Sequence, residues 1–225
     1  MTRLIHAMQT TDIFSSLEDL AQTSIDLPAG THYLKGFACK YAPELIVAIK
    51  KITTYSPFRQ IVTPGGKKMS VTMTNCGTYG WISDRYGYRY STVDPLSHQH
   101  WLALPSCFVE LVNAALSHEH LPNYQPDACL INNYSVGAKM GLHQDKDEKN
   151  FTYPIVSVSL GLPALFLLGG LTRNITPRRI LLQHGDIIIL TQQSRLRFHG
   201  VLPIQPGYHA ELQAQRINLT FRKVT

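Results

Sequence analysis

The chain is organised around the stretch Met140-Gly141-Leu142-His143-Gln144-Asp145-Lys146-Asp147-Glu148. In an extended segment, side chains two residues apart point the same way, so His143-x-Asp145 aims an imidazole and a carboxylate at one point. A third ligand must come from elsewhere, and His199 in Phe198-His199-Gly200 is the best candidate. Two histidines and one carboxylate are typical of a facial triad, which leaves open positions on Fe(II). Alone, His-x-Asp is a weak pattern, because short motifs match by accident in a chain with ten histidines.

Length and composition indicate a folded protein with a basic surface. The 225 residues suit one large domain, or a domain with a substantial extension. The formal net charge of +6 favours anionic partners such as nucleic acid. Charge alone is equally compatible with a basic soluble protein that has no such partner.

Cysteine usage and hydropathy predict a cytoplasmic protein without a membrane partner. The four cysteines form neither a C-x-x-C pair nor a zinc spacing, which indicates reduced thiols. Residues 1–7 contain no apolar run long enough for a signal peptide. The apolar segment 154–171 alternates with serine and is interrupted by glycine and proline, which indicates strands and not a membrane span.

Periodicity predicts two main helices, each with one apolar face, and strands elsewhere. The helices span 42–54, where Pro43 suits the first turn, and 105–118. Further elements are predicted at both ends of the chain and in its middle: a helix over 12–22, and strands over 32–37, 71–75, 128–134, 155–160, 164–168, 179–182, 186–190, 196–199 and 217–222. Short strands separated by glycine turns indicate a sandwich or jelly roll.

Cations and aromatic residues alternate in Arg85-Tyr86-Gly87-Tyr88-Arg89-Tyr90. This interleaving can stack bases and neutralise phosphates. An aromatic hairpin with a solvated charged face would have the same pattern, so the residues alone leave both interpretations open.

Several stretches along the chain share one pattern: Ser56-Pro57-Phe58-Arg59-Gln60, Val62-Thr63-Pro64-Gly65-Gly66, Met73-Thr74-Asn75-Cys76-Gly77, Gln125-Pro126-Asp127-Ala128-Cys129-Leu130-Ile131-Asn132, His143-Gln144-Asp145-Lys146-Asp147-Glu148, Pro154-Ile155-Val156-Ser157-Val158-Ser159-Leu160-Gly161-Leu162-Pro163-Ala164, His184-Gly185-Asp186, His199-Gly200 and Arg216-Ile217-Asn218-Leu219-Thr220-Phe221-Arg222. Together they resemble the AlkB family of Fe(II)- and 2-oxoglutarate-dependent nucleic-acid dealkylases, most closely its bacterial members. The similarity runs from about residue 30 to the end.

The resemblance implies a mainly β fold with flanking helices (α+β), a double-stranded β-helix or jelly roll with an N-terminal nucleotide-recognition lid. We expect an N-terminal extension over 1–30 and a single dioxygenase domain over 31–225. Within that domain, the lid is expected at about 56–100 and the catalytic core at about 126–225. A monomer is expected.

The resemblance also implies the roles of the site residues. His143, Asp145 and His199 would hold Fe(II), while Arg216 would pair with the distal carboxylate of 2-oxoglutarate and Arg222 with the carboxylate beside its keto group. The arginine fork matches a carboxylate bidentately. Three further side chains are expected at the cosubstrate: Asn132, Tyr134 and Asn218.

The strand Arg216-x-Asn218-x-Thr220-x-Arg222 puts alternate side chains on one face. The alternative is a strand with two charges that face water. Because both arginines share the face of Asn218 and Thr220, the inward orientation is favoured.

For the substrate, Trp81 matches the family's stacking aromatic and would clamp a flipped base against His143; alternatively, it is an ordinary core tryptophan. Asp147 matches a residue near the exocyclic amino group of the base, where a carboxylate suits cationic 1-methyladenine and 3-methylcytosine. The remaining expected substrate contacts are Thr63 and Tyr88 at the phosphate backbone, Arg173 at the pocket rim, and Met73.

The implied reaction is oxidative demethylation of alkylated bases in single- or double-stranded DNA, or in RNA, with Fe(II), 2-oxoglutarate and O2. The products are succinate, carbon dioxide and formaldehyde. The alternatives are the same chemistry on RNA or a protein side chain, or a nucleic-acid-binding module with a vestigial site. Two departures from the pattern concern lid fit and substrate preference: Leu190 replaces a tryptophan, and Arg197-Phe198 replaces an aromatic pair.

Overall fold

The computed structural model describes residues 26–225, which form thirteen strands, two α-helices and one short 3-10 helix. In chain order they are β1 (Thr31–Leu34), α1 (Ala42–Tyr55), β2 (Arg59–Val62), β3 (Lys68–Gly77), β4 (Gly80–Asp84), β5 (Gly87–Ser91), α2 (Ser106–His118), β6 (Ala128–Ser135), β7 (Met140–His143), β8 (Ile155–Gly161), β9 (Ala164–Leu168), β10 (Arg178–Leu182), β11 (Ile187–Leu190), the 3-10 helix (Gln192–Leu196), β12 (His199–Val201) and β13 (Gln215–Arg222). The helix predicted over 12–22 and most of the expected extension lie outside the described residues.

Two antiparallel sheets form the body of the fold. The larger has the strand order β1-β11-β8-β13-β6-β3-β2, and the smaller has the order β10-β9-β12-β7. One apolar cluster contains side chains from both sheets, such as Met73 and Ile155 from the larger and Phe166 and Val201 from the smaller. The sheets therefore pack on each other as in a double-stranded β-helix, and the predicted mainly β class is confirmed.

Both helices cover the outer face of the larger sheet. Leu45 of α1 and Phe108 of α2 share a second apolar cluster with Leu219 and Phe221 of β13. The rings of Phe108 and Phe221 meet edge to face, with centroids 5.5 Å apart. Because odd-numbered positions of β13 face the helices, its even-numbered positions must face the other sheet. This alternation confirms that Arg216 and Arg222 point inward.

Two strand predictions differ from the structure. The strand predicted over 32–37 ends at Leu34, because Gly36 turns the chain with a φ of 63° and its N–H donates to Asp186 Oδ1 at 2.7 Å. The strand predicted over 196–199 was wrong. Residues before His199 close a 3-10 turn instead, and ladder pairing begins only at His199. The strand β7 (Met140–His143) is not among the strands predicted from periodicity, and it covers only the first part of the extended segment inferred around His143-x-Asp145.

A stacked pair of histidines supports the end of β8. The rings of His184 and His209 lie 4.4 Å apart at 25°. The Nδ1 atom of His184 accepts a hydrogen bond from the N–H of Gly161 at 3.0 Å, and Gly161 pairs with Arg216 in the ladder between β8 and β13. Burial, together with the neighbouring His209, lowers the pKa of His184.

This lowered pKa predicts an acid-sensitive contribution to stability. Folding disfavours the protonated His184, so its contribution is complete above the ordinary pKa of 6.5 and declines as the pH falls below that value. We expect the free energy of unfolding to fall more between pH 7.5 and 5.5 in the wild type than in His184→Gln, as measured by urea denaturation. The exposed His98→Gln variant is the control and should follow the wild type. Equal acid dependence in all three proteins would contradict the assignment.

Candidate active site

A cavity of about 510 Å3 opens between the two sheets. This volume is typical of pockets for small ligands. All the site residues predicted from the sequence line it: Thr63, Met73, Trp81, Tyr88, Asn132, Tyr134, His143, Asp145, Asp147, Arg173, His199, Arg216, Asn218 and Arg222. The structure therefore brings together residues that are up to 159 positions apart in the chain (222 − 63).

Strand pairing assembles the candidate metal ligands. His143 is the last residue of β7, His199 is the first of β12, and the two face each other across the ladder. Asp145 lies beyond the end of β7, so His143 and Asp145 do not share a strand as the pattern predicted. The ligand atoms of the three residues nevertheless lie within 4.8 Å of one another. This is the facial arrangement of two imidazoles and one carboxylate that suits Fe(II).

Backbone carbonyls orient both imidazoles toward Asp145. The Nδ1 atom of His143 lies 2.9 Å from the carbonyl oxygen of Gly141, and that of His199 lies 3.0 Å from the carbonyl oxygen of Arg197. If each Nδ1–H donates to its carbonyl, each Nε2 keeps a free lone pair, and both Nε2 atoms lie 3.7 Å from a carboxylate oxygen of Asp145. Such outer hydrogen bonds fix the tautomer that a metal requires.

Electrostatics keep Asp145 and His199 in their metal-binding protonation states. Burial opposes ionisation of Asp145, but Arg222, His199 and His143 together hold the pKa of its carboxyl well below its usual range. Burial and the adjacent His143 lower the pKa of His199 to about 4. At neutral pH, Asp145 is therefore an anion and His199 is neutral, as metal ligation demands.

Arg216 forms a buried positive charge on the floor of the cavity. Only 1% of the residue is exposed, its Nη2 donates to Ser159 Oγ at 2.9 Å, and its guanidinium lies 5.0 Å from the ring centroid of Tyr134. Its Nε and Nη1 atoms have no hydrogen-bond partner among the described residues. A buried cation with free donors is costly, and a ligand carboxylate would satisfy it. The residues present therefore fit 2-oxoglutarate.

Arg222 lies beside the candidate metal ligands. Its Nη2 donates to Asp145 Oδ2 at 2.6 Å, and its Nε lies 3.1 Å from Glu148 Oε1. Nearby, Asn218 Nδ2 donates to Ser157 Oγ at 2.8 Å. The motif reading left Glu148 without a role, because nothing in its spacing indicates that it meets a residue 74 positions later (222 − 148).

The hairpin of β4 and β5 forms one wall of the cavity. Trp81 stacks on Tyr88 across the hairpin, with centroids 5.2 Å apart and planes at 16°. Its indole Nε1 donates to Asp147 Oδ2 at 2.8 Å, and its backbone N–H donates to Asn75 Oδ1 at 3.0 Å. Trp81 is only partly buried, packs against the apolar cluster between the sheets and lines the cavity.

The two departures from the family pattern, Leu190 and Arg197-Phe198, lie at different places in the structure. Leu190 is 2% exposed and lines the cavity wall. Arg197 instead donates from Nη1 to the carbonyl oxygen of Gly169 at 3.2 Å, outside the set of cavity-lining residues. Leu190 and Phe198 therefore contribute directly to the shape of the cavity, whereas Arg197 does not.

Comparisons with known proteins agree with this geometry. Residues 30–222 match the model of the 2OG-Fe(II) oxygenase superfamily. The chain is 49% identical over 212 residues to the Alpha-ketoglutarate-dependent dioxygenase AlkB of Escherichia coli strain K12. This alignment covers 94% of this chain and 97% of the relative. It is 39% identical over 113 residues to the DNA N(6)-methyladenine demethylase ALKBH1D of Arabidopsis thaliana, over 45% of this chain and 26% of the relative. The solved structure of OsALKBH1 superposes with a TM-score of 0.78 at 30% identity, over 88% of this chain and 98% of that one.

The chain is thus an Fe(II)- and 2-oxoglutarate-dependent dioxygenase by fold and by site. Within that superfamily it belongs to the AlkB family. Across residues 26–225, the structure contains no helix of the length and apolarity needed to cross a bilayer.

The free donors of Arg216 predict its contribution to cosubstrate binding. A hydrogen bond to a charged group contributes about 1.5–3 kcal/mol, so Arg216→Leu should weaken 2-oxoglutarate binding by roughly 10- to 150-fold. Anaerobic titration of the Mn(II) form measures this dissociation constant, and Mn(II) affinity should stay unchanged. The control, Arg179→Leu, removes an exposed arginine outside the cavity. A wild-type dissociation constant in Arg216→Leu would exclude Arg216 as a cosubstrate ligand.

Proposed function

We propose that this protein oxidatively demethylates alkylated nucleobases in DNA, with His143, Asp145 and His199 as its iron ligands. The observation that carries the proposal is a stacking aromatic, Trp81, on the wall of the same cavity as the triad. The name of the Arabidopsis relative, a DNA N(6)-methyladenine demethylase, supports a methylated base as the substrate. When bound, Fe(II) and 2-oxoglutarate supply, with O2, the oxidation that releases the methyl group as formaldehyde, with succinate and carbon dioxide as coproducts.

The protein's own residues bind and orient the two organic reactants. Arg216, with Asn132 and Tyr134, binds the distal carboxylate of 2-oxoglutarate, and its burial excludes water from that end. Arg222, with Asn218, contacts the carboxylate beside the keto group. Arg222 also holds Asp145 as an anion, because its guanidinium contacts Oδ2.

The hairpin wall receives the base. Tyr88 supports one face of the Trp81 indole, which leaves the other face for an extruded base. Asp147 lies at the edge of that indole, where its carboxylate stabilises the positive charge of a base such as 1-methyladenine or 3-methylcytosine. An alkylated base that cannot pair costs less to extrude than an intact one.

Residues 56–100 include the nucleotide-recognition lid of this proposal, and Thr63, Met73, Tyr88 and Arg173 complete the substrate contacts. Four basic side chains in the segments that also supply the lining residues Thr63, Met69, Tyr88 and Met140 are exposed to solvent and suit phosphate groups: Lys67, Lys68, Arg85 and Lys139. We further propose that the protein is a cytoplasmic monomer that acts on single- or double-stranded DNA. RNA is the alternative substrate, because it offers the same bases.

A turnover assay tests this function. We expect Fe(II)-dependent succinate and formaldehyde production with an oligonucleotide that contains 1-methyladenine or 3-methylcytosine, and loss of the methyl mass from the DNA. Asp145→Ala should abolish both products, because it removes the anionic ligand. Glu110→Ala, which removes an exposed carboxylate from α2, should retain them.

Each other result of this assay identifies an alternative. Faster turnover on a matched methylated RNA would make RNA the substrate. DNA binding without succinate formation would indicate a vestigial site. Succinate formation that no methylated oligonucleotide stimulates would point to a protein or small-molecule substrate.

The stacking role of Trp81 predicts weaker binding of methylated DNA in Trp81→Ala. Stacking of a base on an aromatic side chain contributes about 1–3 kcal/mol, so the dissociation constant should rise roughly 5- to 150-fold. Fluorescence anisotropy at fixed salt measures it, with Mn(II) affinity unchanged. Tyr208→Ala, an exposed aromatic outside the cavity, is the control. Equal affinity in Trp81→Ala and the wild type would remove Trp81 from the substrate site.

A further inference from the structure

A buried carboxylate connects the hairpin wall to the cosubstrate end of the cavity. Glu148 follows Asp145 by three residues, and only 1% of its side chain is exposed. Its Oε1 accepts a hydrogen bond from the hydroxyl of Tyr90 on β5 at 2.5 Å and lies 3.1 Å from Arg222 Nε. Its Oε2 lies 2.8 Å from Nη2 of Arg195. One side chain therefore contacts the hairpin, the last strand and the 3-10 helix.

The charges in this cluster balance in pairs. Asp145 and Glu148 are two carboxylates, and Arg222 and Arg195 are two guanidinium groups. Buried charges persist in a fold only when they are paired. Arg195 has two further acceptors, the carbonyl oxygens of Asn150 and Tyr153. Without Glu148, Arg222 would keep only Asp145 as an acidic partner among the described residues.

Two contacts restrain the Arg222 guanidinium. Asp145 accepts a hydrogen bond from Nη2, and Glu148 Oε1 forms an ion pair with Nε at 3.1 Å without a hydrogen bond between these two atoms. A planar group held at two points has a defined orientation. Since Arg222 lines the cavity, Glu148 helps to set, together with Asp145, the direction that its donors face.

The hairpin end of this chain of contacts leads directly to the stacking residue. Tyr90 is the cross-strand partner of Trp81 in the ladder between β4 and β5. Tyr90 donates a hydrogen bond to Glu148. The residue before Glu148 in the chain, Asp147, accepts a hydrogen bond from the Trp81 indole. A shift of the hairpin therefore moves both carboxylates, and a shift of Arg222 moves Tyr90 through Glu148.

We propose that Glu148 is a positioning residue that couples the base-binding hairpin to the orientation of Arg222 through Tyr90. This rests on the proposed function for the roles of Trp81 and Arg222, but the mechanical connection does not require a nucleic-acid substrate. Occupation of the cosubstrate site restrains Arg222 further, and Glu148 transmits that restraint to the hairpin. Coupling of this kind is reciprocal, so a bound base strengthens 2-oxoglutarate binding by the same factor.

Hydrogen exchange tests the connection without any nucleic acid. The Mn(II) form is compared with and without 2-oxoglutarate, anaerobically, and the amides of residues 80–91 are followed. In the wild type we expect 2-oxoglutarate to slow their exchange. Tyr90→Phe keeps the ring but removes the hydroxyl, and should abolish this slowing. Tyr86→Phe removes an exposed hydroxyl from the same hairpin, one that contacts Arg85 and not Glu148, and should retain it.

A second measurement determines the size of the coupling. The 2-oxoglutarate dissociation constant is measured with and without a saturating methylated oligonucleotide. Coupling between two sites is typically about 5- to 150-fold. We expect a ratio in that range for the wild type and Tyr86→Phe, and a ratio near one for Tyr90→Phe. Glu148→Gln should also lose the coupling and weaken 2-oxoglutarate binding on the order of tenfold, since it removes the charge that holds Nε.

The outcomes separate this inference from the proposed function. The coupling is overturned if 2-oxoglutarate does not change amide exchange in the hairpin of the wild type. It is also overturned if 2-oxoglutarate slows exchange equally in Tyr90→Phe and the wild type. If the wild type neither binds nor oxidises methylated oligonucleotides, the proposed function fails, while the exchange experiment still decides the role of Glu148. If Glu148→Gln does not fold, Tyr90→Phe decides alone, because its carboxylate cluster is intact.

Discussion

The arrangement of the site depends on one buried ionic contact, between Arg222 and Asp145. Asp145 lies past the end of β7, where no ladder hydrogen bond holds it. Arg222 is the last residue of β13, which pairs with β6 over its whole length and with β8 from Arg216 to Phe221. A residue in a loop thus takes its position from a residue in a strand that is paired on both sides along most of its length. The contact also keeps the carboxyl ionised despite burial, because it holds the pKa of Asp145 low.

The two faces of β13 have different roles, one in the apolar core and the other in the cavity. On β13, Leu219 and Phe221 pack under the helices, whereas Arg216 and Arg222 enter the cavity. A shift of one residue in its pairing would exchange these faces and place two arginines in the apolar core. Correct packing of the helices on the sheet and correct assembly of the site are therefore one requirement. Substitutions at Phe221 would disturb the site even though the residue lies on the opposite face.

Sequence patterns predicted this part of the structure well and other parts poorly, for physical reasons. The helices were predicted nearly to their ends because period and apolar face are local properties, as Leu45 and Phe108 illustrate. The alternation of side chains between the two faces of β13 was predicted from the sequence equally well. The strand before His199 was misplaced because the choice between a 3-10 turn and a strand depends on pairing with β7 and β9, which are distant in sequence. The resemblance to a family supplied residue roles that spacing could not.

The partners of Glu148 show where sequence reasoning ends. Its contacts come from Tyr90, Arg195 and Arg222, three segments that approach only in the folded chain. A glutamate next to Asp147 in a charged run predicts a solvent-exposed side chain, since unpaired carboxylates are almost never buried. Its burial requires cations that neutralise its negative charge, and no local sequence pattern predicts those cations. The two neighbours therefore diverge: Asp147 stays at the cavity wall, where it meets the indole of Trp81, and Glu148 turns into the protein. The dipeptide Asp147-Glu148 therefore contacts both Trp81 on the hairpin and Arg222 on β13.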